Sequence, residues 1–340
     1  MSEVTKKLVV SASPHFRSKT TTTSIMLDVI IAMIPALVAS VILFGYRSLV
    51  LTVVSVISCV VFEYLSRKVM KRHNTIGDLS AVVTGMLLAF NLPSTMPYWM
   101  VIIGAFVAIV IAKQFFGGIG NNFVNPALIG RIVLMASYPS QIGNFIAPFS
   151  HRGGVDAVTT ATPLAQMTSV YSAESIGTAI DGAGLPSLLD MFLGVKGGCL
   201  GEVCILALVI GFVYLVVRKV ISPVIPLVYV GTVAVAMLIA GKGDFTFMAY
   251  QVMAGGLVLG AVFMATDYTT SPVSFKGKII YAIGCGVLTS LIRIFGSLPE
   301  GVSFSIIIMN ILVPHIEHIT TARPFGEVKE KKNKKEAEAK

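Results

Sequence analysis

The chain has 340 residues, of which 55% are hydrophobic and only 13% charged. A soluble domain carries about 25% charged residues, and it cannot hide this much apolar surface behind a polar exterior. The composition therefore excludes one or two soluble domains and predicts an all-α integral membrane protein with the lipid bilayer as its solvent. The net charge of +9 does not indicate a nucleic-acid partner, because the lysines and arginines lie between apolar runs and in the tails.

About ten apolar runs approach the length of a spanning helix, which needs about 20 residues. Backbone groups in lipid must bond internally, so each run is predicted to be a helix. The first half, 25–137, has five, at 25–45, 48–65, 79–92, 98–114 and 123–137. The second half, 199–318, has five more, at 199–217, 223–240, 247–265, 279–295 and 302–318. The predicted organisation also includes a leader (1–24), a polar segment between the halves (138–198) and a basic tail (319–340).

Positive charges set the expected orientation, since cytoplasmic loops are enriched in lysine and arginine. With ten helices, the leader, the tail and the basic loops beside helices 2, 6 and 9 all fall on one face. The segment 138–198 falls on the other face and has only two basic residues, Arg152 and Lys196. The sequence therefore predicts a multi-pass protein of the cell (inner, cytoplasmic) membrane with both termini in the cytoplasm and an extracytoplasmic segment at 138–198.

The two halves show a weak internal repeat. The run at 82–97 resembles the run at 257–272 in one ungapped register, with Gly85 matching Gly260 and Pro97 matching Pro272. Repeats of five helices must be inverted in the membrane, and such repeats often place a binding site at their interface. Chance similarity between apolar helices is the alternative.

The polar segment contains the run DAVTTATPLA, which begins at Asp156. It resembles the flavinylation motif Dxx(S/T)xAT, in which the last threonine is esterified to the phosphate of FMN. Thr162 takes that position, and Asp156, Thr159 and Ala161 match as well, whereas Thr160 stands where glycine is common. An exposed loop would give a flavin transferase access to the hydroxyl. The alternative is a threonine-rich loop with local hydroxyl–backbone hydrogen bonds.

Nearly the whole chain resembles the family of the D subunit of the Rnf complex and its relative, the B subunit of the sodium-pumping NADH:quinone reductase. The short stretch before the first matching run favours the Rnf type. The resemblance is carried by the flavinylation run and by SPHFRSKTTT (13–22), GMLLAFNLP (85–93), AKQFFGGIGNNFVNPALIGR (112–131) and FMATDYTTSPVSFKGK (263–278).

This resemblance implies a subunit of a complex that moves electrons between reduced ferredoxin and NAD⁺ and couples the transfer to Na⁺ or H⁺ translocation. It implies covalent FMN on Thr162, a second, noncovalent riboflavin, and as partners the other Rnf subunits (A, B, C, E and G) and a flavin transferase. No catalytic residue and no metal ligand are assigned, and the subunit is not expected to be active alone. The four cysteines form no CxxC pair, so no iron–sulfur cluster held by this chain alone is expected. The alternatives are a quinone-reductase B-type subunit, a small-solute channel or transporter without flavin, and a structural membrane anchor.

Several polar residues near or within the apolar runs have two interpretations. Arg131, inside helix 5, would either neutralise a flavin semiquinone or pair with a carboxylate buried in a helix. The glycine- and asparagine-rich run 117–131 predicts a tight turn before helix 5, or a broken helix that lines a cavity or contacts flavin. Four acidic residues near helix ends are expected to reach water, with ion coupling as the alternative: Asp28, Glu63, Glu202 and Asp267.

Overall fold

A computed structural model describes residues 20–150, 160–171, 184–296 and 300–320, and these ranges contain helices and no β-strand. The first half comprises α1 (Thr22–Phe44), α2 (Tyr46–Val69), α3 (Ser80–Phe90), α4 (Tyr98–Phe106, continued by a π-helix at Val107–Gln114) and α5 (Pro126–Ser137). Between the halves lie α6 (Pro139–Ile142), α7 (Pro163–Tyr171) and α8 (Leu188–Leu193). The second half comprises α9 (Ile205–Val217), α10 (Val224–Ala240), α11 (Phe245–Met253), α12 (Leu257–Leu259, continued by a π-helix at Gly260–Met264), α13 (Phe275–Phe295) and α14 (Val302–Thr320).

Four of the helices, α1, α2, α13 and α14, are long and apolar enough to cross a bilayer. A fifth candidate span is the pair formed by α11 and Leu257–Met264, whose two parts are bent by 62°. The described chain also has five shorter apolar helices of 10–17 residues, namely α3, α4 with its π-helical continuation, α5, α9 and α10. The protein is therefore a helical membrane protein over the residues that the structure describes, as its composition predicts.

The predicted continuous helix at 247–265 is wrong, because α11 and α12 are separated by a break. Ala254 is extended, with φ −88° and ψ 148°, and Gly255 has a φ of +67°. That φ lies in the left-handed region, which glycine adopts without a Cβ clash. The two short helices thus meet at an angle inside the membrane domain.

The predicted start of helix 6 at residue 199 is also wrong, since α9 begins only at Ile205. The preceding residues form a buried irregular segment on the end of α3. The amide of Leu200 donates to the Leu92 carbonyl at 3.0 Å, and the amide of Gly201 donates to the Phe90 carbonyl at 2.9 Å. A Cβ at Gly201 would overlap the Phe90 side chain. Glycine therefore permits the close approach of this segment to α3.

The halves contact each other through helices at equivalent places in the two series. The first helices, α1 and α9, pack together, and so do the fifth helices, α5 and α14. The α1–α9 contact is close, because a Cβ at Gly211 would overlap the carbonyl oxygen of Ala32.

Candidate functional site

Thr162 lies at the N-terminus of α7, where the polar segment joins a helix. Its Oγ1 accepts a hydrogen bond from the Ala165 amide at 3.3 Å, and its carbonyl accepts one from the Gln166 amide at 3.1 Å. Pro163 occupies the first helical position, where a missing N–H costs nothing. Thr162 is half-buried and Ala161 is exposed. Thr162 therefore acts as the N-cap of α7, whereas the motif residues Asp156 and Thr159 lie outside the described residues.

The helix that Thr162 caps is anchored on the membrane domain. Leu164, Met167 and Val170 follow a helical spacing on one face and are buried. This face packs against α11 and α13, and the ring of Tyr171 lies 6.2 Å from that of Phe247. The Thr162 hydroxyl is therefore held at a defined place on the membrane domain.

The neighbouring Thr160 is placed differently from Thr162. Its amide donates to the Phe145 carbonyl at 3.0 Å, while its hydroxyl is buried without a hydrogen-bond partner. That hydroxyl oxygen would lie 2.8 Å from a Cβ built at Gly197. The Thr160 side chain thus points into the protein, and the two hydroxyls of this short run have different access.

Two buried cationic side chains lie close to α7 and hydrogen-bond to the carbonyls at the C-terminal end of α11. Lys196 Nζ donates to the Met253 carbonyl. Arg293 Nη1 donates to the Gln251 carbonyl, and its Nη2 donates to the Ala254 carbonyl at 3.2 Å. Cations are favourable at a helix C-terminus, because the last carbonyls there have no intrahelical partner. These two side chains therefore stabilise the break between α11 and α12.

Arg131 connects the first half of the chain to the second. Its guanidinium pairs with Glu300 and donates to Asn91 Oδ1 at 2.6 Å. The same group lies 3.9 Å from Cys199 Sγ. Arg131 therefore does pair with a carboxylate, but the expectation of a partner buried in a helix is wrong, because Glu300 is half-buried and lies just before α14.

Glu202 completes this group of buried charges. Its Oε1 accepts from the Cys199 amide at 2.9 Å, while its Oε2 has no hydrogen-bond partner. Ligand atoms of Cys199, Glu202 and Glu300 approach within 4.8 Å of one another, but the Arg131 guanidinium is already bonded to two of the three. The group thus contains one ion pair, between Arg131 and Glu300, with three further charged side chains close to it. We call Arg131, Lys196, Glu202, Arg293 and Glu300 the α7 charge cluster.

The expectation that the acidic residues reach water is wrong for Asp28, Glu63 and Glu202, which are all buried. Glu63 is 0% exposed and pairs with Lys113 at 2.9 Å. Arg218 lies 3.3 Å from Asp28. A buried carboxylate with a cationic partner recovers much of its desolvation cost, which accounts for the burial of Glu63 and Asp28. Asp267 is half-buried.

A cavity of about 430 Å³ lies among the N-terminal ends of α1, α3 and α5, the end of the π-helix after α4, and the chain around Asp267. Its walls are largely apolar, with a few polar groups. The glycine- and asparagine-rich run lines it with Gly120, Asn122 and Asn125. Residues 115–125 form turns before α5 rather than a broken helix, so the tight-turn prediction is confirmed and the run borders a cavity as well. Other lining residues include Thr22, Ser80, Thr84, Leu87, Lys113, Phe263, Thr266, Asp267 and Thr269.

These features define a polytopic helical membrane protein with a fixed threonine at a helix N-terminus, a buried charge cluster beneath it and a separate internal cavity. Residues 9–326 match the family described as NQR2, RnfD, RnfE. The chain belongs to this family, as the sequence runs predicted.

Curated relatives cover nearly the whole chain. The D subunit of the Na⁺-translocating ferredoxin:NAD⁺ oxidoreductase complex of Acetobacterium woodii is 46% identical over 330 residues, which is 96% of this chain and 98% of the relative. The D subunit of the proton-translocating ferredoxin:NAD⁺ oxidoreductase complex of Clostridium ljungdahlii is 43% identical over 322 residues, 93% of this chain and 96% of the relative. The D subunit of the ion-translocating oxidoreductase complex of Halorhodospira halophila is 35% identical over 339 residues, 93% and 94% of the two chains.

Proposed function

We propose that this chain is the D-type membrane subunit of an ion-translocating ferredoxin:NAD⁺ oxidoreductase complex and relays electrons through a covalent FMN. The observation that carries the proposal is the position of Thr162, the motif threonine, as an anchored N-cap on the membrane domain. The Acetobacterium and Clostridium relatives are named for different ions, so the proposal covers both Na⁺ and H⁺. Its proposed partners are the A, B, C, E and G subunits and a flavin transferase.

The Thr162 site fits a phosphoester chemically. A transferase would join Thr162 Oγ1 to the FMN phosphorus of FAD, with release of AMP and of the hydroxyl proton. The oxygen now accepts from the Ala165 amide, and an ester oxygen keeps an acceptor lone pair. The added phosphate charge would lie at the N-terminus of a nine-residue helix, where backbone N–H groups favour anions. Bound FMN supplies a redox group that accepts electrons and passes them on, and α7 fixes its point of attachment.

The internal cavity is the proposed place for the noncovalent riboflavin. Its volume of about 430 Å³ falls in the usual range for small-molecule sites, about 300–1,000 Å³. Leu87 and Phe263 offer apolar contacts for the faces of a ring system. Lys113, Asn122 and Asn125 offer donors for its carbonyl oxygens and ring nitrogens. The cavity thus combines the two kinds of surface that a flavin needs.

The proposed architecture has ten membrane crossings arranged as two inverted five-helix repeats. The contacts of α1 with α9 and of α5 with α14 support it, because a two-fold axis between repeats brings equivalent helices together. With both termini in the cytoplasm, α7 and Thr162 lie on the extracytoplasmic side of the inner membrane. The cavity lies near the opposite side, so the two proposed flavins would occupy different depths.

Two measurements test the proposed function. On a denaturing gel under ultraviolet light, the protein band should fluoresce, whereas a flavin-free channel or a structural anchor would give a dark band. The chain should also copurify with cluster-bearing and NAD-binding subunits. Inverted vesicles that contain this complex should reduce NAD⁺ with reduced ferredoxin and take up ions. Electron delivery to quinone instead would favour the quinone-reductase alternative, and a stable homomer without such partners would refute the proposal.

A further inference from the structure

We propose that the α7 charge cluster raises the reduction potential of the flavin on Thr162. Lys196 and Arg293 supply the positive charge that has this effect, and Glu202 supplies the negative charge that opposes it. The inference rests on the proposed attachment of FMN to Thr162. It concerns residues that lie outside the flavinylation run.

The cluster approaches Thr162 from the side of Thr160, two residues before it. The Thr160 hydroxyl oxygen lies 2.8 Å from a Cβ built at Gly197. Gly197 directly follows Lys196 in the chain. The chain segment that bears Lys196 therefore packs against the residues that lead into Thr162.

The cluster also approaches Thr162 from the side of Leu164, two residues after it. A Cβ built at Gly255 would lie 3.0 Å from Leu164 Cδ2 and 3.4 Å from Arg293 Nη2. Leu164 and the Arg293 guanidinium therefore border the same small volume at the break between α11 and α12. Thr162 therefore lies in sequence between Thr160, which contacts the segment that bears Lys196, and Leu164, which lies close to the Arg293 guanidinium.

The cluster has an excess of one positive charge when its ionisable groups are charged. It contains three cations, Arg131, Lys196 and Arg293, against two carboxylates, Glu202 and Glu300. Lys196 is only 3% exposed and Arg293 only 4%, so solvent and salt screen their charges weakly. Burial lowers the pKa of Lys196 to about 8, which leaves the amine mostly protonated at pH 7.

These charges act on the flavin through space. Lys196 and Arg293 donate hydrogen bonds to the carbonyls at the end of α11. These hydrogen bonds hold the two positive charges in fixed positions. Each electron that a neighbouring redox carrier passes to the flavin adds one negative charge near Thr162. A net positive field stabilises that added charge and therefore makes reduction more favourable.

The test is a reductive titration of the full chain, co-expressed with a flavin transferase and held in lipid nanodiscs. Dithionite with redox mediators supplies the electrons, and the flavin absorbance reports reduction. Lys196→Gln removes a positive charge and should lower the midpoint potential. Glu202→Gln removes a negative charge and should raise it. Gln251→Met, a neutral change at the end of α11, should leave the potential near that of the wild type.

The opposite signs distinguish this role from a structural one. Local unfolding would move both charge variants in the same direction, so shifts of equal sign, or unchanged potentials in both variants, would overturn the inference. A wild-type band without fluorescence would instead count against the attachment of FMN itself. The two failures are therefore distinguishable in one set of samples.

The pH dependence provides a second readout. Glu202, Cys204 and Arg293 are the charged and titratable groups that act on Lys196. As the pH rises through about 8, Lys196 loses its proton, so the wild-type potential should fall more steeply than that of Lys196→Gln. Parallel pH profiles for the two proteins would contradict a charge effect of Lys196.

Discussion

Replacement of Thr162 by alanine should abolish the covalent flavin. The change removes the only oxygen of this side chain that can attack the FAD phosphorus. Thr160→Ala should leave the modification in place, because the Thr160 hydroxyl is buried against Gly197. Intact-protein mass spectrometry of co-expressed chains measures the outcome directly as the presence or absence of one FMN mass.

The structural cost of Thr162→Ala is modest and can be bounded. An unconstrained loop threonine would cost within about 0.5 kcal/mol, but loss of an N-cap costs about 1 kcal/mol. Three buried side chains, Leu164, Met167 and Val170, hold α7 on the domain, and each contributes about 1.5–3 kcal/mol when fully buried. We therefore expect α7 to remain folded in the alanine variant.

Two further substitutions separate capping from chemistry. Thr162→Asn keeps a side-chain acceptor for the Ala165 amide but has no hydroxyl, so it should be fully folded and free of flavin. Thr162→Ser keeps both the cap and the nucleophile and should retain some flavin. A Thr162→Ala or Thr162→Asn chain that still carries the mass of one FMN would refute the assignment of the attachment site.

Three other predictions concern topology and packing. A cysteine in place of Ser150 should react with a membrane-impermeant maleimide in intact cells once native thiols are masked, whereas labelling only after lysis would contradict the orientation. Gly211→Leu should cost about 1–3 kcal/mol through overpacking at the contact between the halves. Gly231→Leu, where open space lies beyond the residue's own helix, should keep the wild-type thermal stability in detergent. Lys113→Met should cost about 3–5 kcal/mol because it leaves Glu63 buried and unpaired. The double change Lys113→Met with Glu63→Gln should recover much of that loss, and equal melting temperatures for the single and double variants would argue against the pair.

The sequence predicts the helical membrane class and most helix positions, because apolar length is a direct consequence of bilayer thickness. It does not predict the break between α11 and α12. Hydropathy does not register that break, since Ala254 and Gly255 are compatible with an apolar run. The carbonyls freed there are bonded by Lys196 and Arg293, which are distant in sequence, although the Gly255–Gly256 pair is a local signal that a break was possible.

The partners in the buried ion pairs could not be predicted from the sequence for a related reason. Glu63 and Lys113 are separated by 50 residues, and Arg131 and Glu300 by 169. Only the packing of the helices determines which cation meets which carboxylate. The flavinylation run singles out Thr162 as the proposed attachment residue, and this stays a prediction. Whether the Thr162 hydroxyl lies in a loop or caps a helix depends on the burial of α7.

The bonded carbonyls at the α11–α12 break have a consequence for ion movement. In many transporters, unwound backbone inside the membrane offers carbonyl oxygens that strip water from a passing cation. Here Lys196 and Arg293 already occupy the carbonyls of Gln251, Met253 and Ala254. Fixed positive charge also repels cations. We therefore expect a sodium ion or proton that crosses this protein to travel around this break.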